Sequence, residues 1–73
     1  MTYRHGWDVD TVEQRETGQE QQRGEHTLRM WIHPDSRDYV VQLIDSTDRV
    51  KAEAHAESFG QAVERIEMLH SWL

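Results

Sequence analysis

The chain has no cysteine, one proline, one lysine and one phenylalanine in 73 residues. Without cysteine, disulfides and thiolate metal sites are excluded. That absence suits a reducing compartment, and a cytoplasmic location is expected. No apolar run approaches the length of a membrane span or of a signal-peptide core, so a soluble, unprocessed protein is expected. A basic stripe is also missing. Fourteen acids stand against eight bases, for a net charge of −6, which argues against direct binding to nucleic acid through its phosphates. The charge is spread evenly, with −3 on residues 1–25 and −3 on residues 26–73. A solvated mixed-sign surface accounts for this. A sharper alternative is an acidic surface that mimics nucleic acid and blocks a basic groove on another protein.

A chain this short buries only about 60% of its unfolded surface. With no disulfide or metal staple, its core is thin. An oligomer or an obligate partner would supply the missing burial.

Residues 1–24 form a polar N-terminal segment. "RETGQEQQRGE" alone reads as a linker. Tyr3, Trp7, Val9 and Val12 precede it, and burying each is worth roughly 1.5–3 kcal/mol, so the first dozen residues are expected to dock. "WDVDTV" alternates at Trp7, Val9 and Thr11, which predicts a short edge strand. Asp10 followed by Glu13 offers a helix cap as the competing reading.

Residues 25–73 read as one β-β-β-α domain. In "HTLRMWIHPD", Leu28, Met30 and Ile32 point one way, and Arg29, Trp31 and His33 the other. Pro34 lacks an amide donor and ends the strand, and "HPDSRD" is a turn. In "YVVQLID", Tyr39, Val41 and Leu43 oppose Val40, Gln42 and Ile44. Both faces are largely apolar, so this strand is expected at the centre of the sheet. Residues 45–48, "DSTD", form a second turn.

"KAEAHAESFGQAVERI" carries two periods. Up to Glu57 the residues alternate, with Val50, Ala52, Ala54 and Ala56 on one face. Beyond Ser58 the apolar residues recur at helical steps. One long helix would place Gly60 in its interior at a cost of about 1 kcal/mol. A strand that hands over to a helix at Ser58 explains Ser58 and Gln61 as a capping box. The helix then buries Ala62, Val63, Ile66, Leu69 and Leu73, with Glu64, Arg65 and Glu67 facing water. The expected fold is α+β: a small antiparallel sheet of three to four strands with one C-terminal amphipathic helix packed on one face.

Chemistry-bearing patterns are sparse. His5, His26, His33, His55 and His70 show no close ligand spacing. His33 and His55 would meet only if the sheet order brought their strands together. No serine has the setting of a nucleophile elbow, and no glycine-rich phosphate loop occurs. No enzyme activity, cofactor or metal is expected.

Apolar surface is left over on the sheet face that the helix does not cover. Arg29, Trp31, His33, Val40, Gln42 and Ile44 are predicted to line a partner-binding site there, with Trp72 as a further anchor. Three coverings compete: the N-terminal segment folded back with Tyr3, Trp7 and Val9; a second copy in a homodimer; or a different protein.

The strand-to-helix handover at residues 58–69 resembles that of HicB-type antitoxins, although their glycine-and-cysteine strand region and DNA-binding extension are missing. The layout is also similar to that of some short phage-encoded anti-CRISPR proteins, which inhibit by occupying a protein surface. The resemblance covers architecture over the last 48 or so residues. It implies a regulatory or inhibitory protein-binding module, of phage or mobile-element type. A self-associating structural subunit and a HicB-like regulator are the alternatives.

Overall fold

The computed structural model describes residues 6–14 and 17–72. Tyr3, His5 and Leu73 lie outside them. The handover at Ser58 is present. β4 (Val50–Ala56) ends just before α2 (Phe59–Ser71). Ser58 is extended, with φ −138°, and its hydroxyl accepts the Gln61 N–H at 3.2 Å. Gln61 reaches back one residue further than in a standard capping box. Its Oε1 accepts from the Glu57 N–H at 3.3 Å, so two amides at the helix start are still satisfied.

Four antiparallel strands run β1 (Gln19–Arg23), β2 (His26–Ile32), β3 (Tyr39–Ile44) and β4, in the spatial order of the chain. The turns carry the sequence signatures that make a meander cheap. Gly24, at φ 60°, opens the two-residue link between Arg23 and His26, where a positive φ matches the twist of the paired strands. Between β3 and β4, Asp45 Oδ1 accepts the Thr47 N–H, the Thr47 hydroxyl and the Arg49 N–H at 2.7–3.0 Å. The Thr47 bond, then that from Arg49, holds the Asp45 carboxyl below the usual carboxylate range.

The core lies on one face of the sheet. Leu28, Met30, Tyr39, Val41, Leu43 and Ala56 meet Ala62, Val63 and Ile66 of α2. Tyr39 and Phe59 pack edge to face, with ring centroids 6.1 Å apart. The alanines of β4 are small enough to let α2 come close above them. Glu67 departs from its expected exposure. It is half-buried and pairs with Arg23 of β1 at 2.5 Å, which holds its carboxyl below the usual range.

The N-terminal segment differs from expectation. Residues 7–11 do not form a strand; α1 (Val9–Gln14) is a helix. The residue that caps it is Asp8, two positions before Asp10. Asp8 Oδ1 accepts the Asp10 N–H and Oδ2 accepts the Thr11 hydroxyl, both at 3.1 Å, while its carbonyl accepts the Val12 N–H. A six-residue stretch is too short for alternation to outweigh a good cap. The strand of this segment is instead the polar "QEQQR". Its pairing rests on the Gly24 turn and on contacts made by its glutamines. Gln19 bridges Gly6 O and the Asp8 N–H at 2.7 and 2.8 Å.

Candidate functional site

Two side chains of the segment dock on the covered face. Trp7 and Val12 are 6% and 0% exposed and join the core under α2. They do not fold over the Trp31 face, and Val9 stays exposed. The described residues place both helices on one side of the sheet and none on the other.

The bare face is built in rows by the strand register. Trp31, Val40 and His55 stand side by side across β2, β3 and β4. The next row is Glu20, Arg29, Gln42 and Glu53. Beyond it lie Gln22, Thr27 and Ile44. Polar side chains bond across the strands. Arg29 lies 3.4 Å from Glu20, Gln42 Nε2 donates to Glu53 Oε1 at 2.7 Å, and Thr27 donates to Gln22 at 2.9 Å. Gln42, followed by the His55 ring 3.3 Å away, holds the Glu53 carboxyl below its usual range. This lattice of side chains leaves Val40 and Ile44 only 3% and 6% exposed without a covering helix. Trp31 is half-buried.

Five of the seven expected site residues therefore share one surface: Arg29, Trp31, Val40, Gln42 and Ile44. The other two do not join them. His33 is drawn into the β2–β3 turn, where Nδ1 accepts the Asp35 N–H at 3.2 Å. Trp72 ends α2 on the opposite layer and is 75% exposed. The strand order also separates His33 from His55, with β3 between them. Sequence reasoning missed Glu20, which enters through the unexpected strand β1.

The bare face carries little charge, with Glu20 and Glu53 against Arg29. The acidic excess sits elsewhere, on α1 (Asp10, Glu13), in the turns (Asp35, Asp45, Asp48) and on α2 (Glu64).

Two shallow hollows flank α2. One is lined by Asp38, His55, Ala56, Glu57, Gln61 and Arg65. The other is lined by Val63, Glu64, Glu67, Met68 and Ser71. Among the described residues no group of three or more His, Asp or Glu is placed to hold a metal ion, and no helix is long and apolar enough to cross a membrane. Compared with known protein families, with curated proteins and with solved structures, the chain finds no match.

Proposed function

We propose that this chain is a small non-catalytic protein-binding module, a regulator or inhibitor that works by occupying the surface of a partner protein in the cytoplasm. A phage or mobile-element origin accords with the layout. The observation that carries the reading is the asymmetric sheet: both helices lie on one face, and the other presents Trp31 beside Val40 and Ile44 within a frame of hydrogen-bonding side chains. Aromatic and arginine anchors inside a polar rim suit protein docking. The small number of carboxylates on this face favours contact through Trp31 and Arg29 over mimicry of a phosphate backbone.

The test is Trp31→Ala. The variant should keep the parent's thermal transition to within a few degrees and lose the partner that the parent retains. A covalent footprint of the complex should protect Trp31 and its neighbours on β2 and β3. Retained binding, or protection confined to α2, would overturn the reading, and so would collapse of the fold.

A further inference from the structure

The sheet has two edges, and they are not alike. β1 is five polar residues tied to the N-terminal segment by Gln19. β4 is seven residues, contains no proline, and has no strand beyond it among the described residues. An unpaired edge of this kind is a template for another strand. Its register with β3 shifts between Leu43 and Ile44, so that Ile44 faces Val50 and Leu43 faces Ala52. Lys51 is the extra residue of that bulge. The regular edge therefore runs over residues 52–56, and its midpoint is Ala54.

We propose that β4 pairs antiparallel with β4 of a second copy of this chain, about a two-fold axis through Ala54. The side chains select this register. About Ala54, Glu53 faces His55 of the second copy and His55 faces its Glu53. Just outside, Lys51 faces Glu57, and the reverse. Ala52 meets Ala56 on the other face, so nothing bulky obstructs the approach. Sliding the axis to residue 53 would set Glu53 against its own copy. Sliding it to residue 55 would set Glu53 against Glu57. Like charges directly opposed across an antiparallel pair are unfavourable. Of the three registers at residues 53, 54 and 55, only that at Ala54 sets no carboxylate against another, with Glu53 opposite His55 and Lys51 opposite Glu57.

α2 extends the same interface. Its Glu67 flank faces Arg23 of β1, while Gln61 and Arg65 line a hollow with His55 and Ala56 of β4 and with Glu57. Leu69 and Trp72 follow Arg65 at steps of four and three, so they share the flank on the β4 side. Leu69 is half-buried and Trp72 is 75% exposed. Leu69 already packs against the core, so it is Trp72 that adds apolar area to a strand pairing that alone falls short of the roughly 1,000 Å² a specific interface needs. An axis perpendicular to the sheet puts all four helices on one side. The two bare faces then form one continuous eight-stranded surface, which would offer a partner two Trp31 sites.

The first test is the solution mass of the full chain by sedimentation across the micromolar range, where a species of twice the chain mass is expected. Lys51→Glu alone and Glu57→Lys alone each set like charges against each other at both ends of the interface. Each should weaken self-association about tenfold. An equimolar mixture of the two variants pairs opposite charges again and should restore it. Because the chain lacks cysteine, introduced thiols report the register directly. Ala54→Cys should form a disulfide-linked dimer on mild oxidation. Glu53→Cys and His55→Cys should cross-link when mixed and not singly, since only directly opposed residues lie within disulfide reach. A parent that stays monomeric across that range would overturn the proposal. So would a dimer that is indifferent to both charge variants, or one in which the Ala54→Cys thiol stays unlinked. Trp31→Ala leaves this edge untouched, so failure here and failure of docking at Trp31 are separable.

Discussion

Val40 and Val41 are adjacent, identical and almost equally inaccessible, at 3% and 0% exposed. They face opposite sides of the same strand. Val41 is closed over by a helix, within the core that joins Met30 and Ile66. Val40 is closed over by the side chains of its own sheet face, with Trp31 and His55 to either side. Equal burial hides unequal reasons. The covered face is excluded from water by a second layer of backbone, whereas the bare face is shielded by side chains that can swing aside at the cost of a rotamer change. A surface of the second kind can be stable alone and still open to a partner.

Truncation at the two positions should separate these reasons. Val41→Ala removes atoms beneath a helix and leaves a void that the surroundings fill only in part, so a loss of about 2–3 kcal/mol is expected in urea unfolding. Val40→Ala leaves a dent that Trp31 or water can occupy, and the loss should be nearer 1 kcal/mol. Equal losses would mean that the bare face is as rigidly packed as the covered one, and the comparison would break.

Ser58→Ala acts on the covered face from a distance. It removes the hydroxyl that accepts the Gln61 N–H, so about 1 kcal/mol should be lost. The bare face should keep its environment, which Trp31 fluorescence against a Trp7→Phe, Trp72→Phe background would report. A shifted emission maximum would show that the helix layer also organises the opposite face.

A smaller effect comes from Tyr39 at the rim of the covered face. Burial, followed by its 2.7 Å bond to the Glu13 carboxylate, pushes the phenol up to about 12. The folded state thus holds this proton more tightly than the unfolded chain, whose phenol titrates near 10. The resulting stabilisation is fully present below pH 10 and declines as pH rises from 10 towards 12. Tyr39→Phe should flatten the fall in melting temperature over that interval. An unchanged slope would assign the alkaline loss to other groups.

Where the sequence was legible, two independent signals agreed. At residues 50–66 the alternation ended at the same residue that could cap a helix, and both the strand and the helix are present. In β2 and β3 the period-two pattern placed Arg29, Trp31, Val40, Gln42 and Ile44 on one face without reference to any partner strand. The N-terminal segment misled because its signals conflicted. "WDVDTV" alternates over too few residues to outweigh the Asp8 cap, and "QEQQR" has no apolar residue to mark it as a strand. Hydrogen bonding by the glutamines and the Gly24 turn holds β1, and neither leaves a hydrophobic pattern to read.

Sequence alone determined the element order from β2 onward, the cap of α2 and which side chains of residues 28–32 and β3 alternate between faces, because these follow from backbone periods of 2 and 3.6 and from local bonding. The bulge at Lys51, which moves Val50 off the face of Ala52, left no such pattern. Tertiary structure decided which face receives α1, which strand is left as an edge, and that His33 and Trp72 lie apart from the other candidates. Those outcomes depend on contacts between residues far apart in the chain. Trp7 meets the core beneath α2, and Arg23 meets Glu67 across 44 positions. No local pattern encodes such a meeting, since burial is settled only when all the layers compete for the same apolar surface.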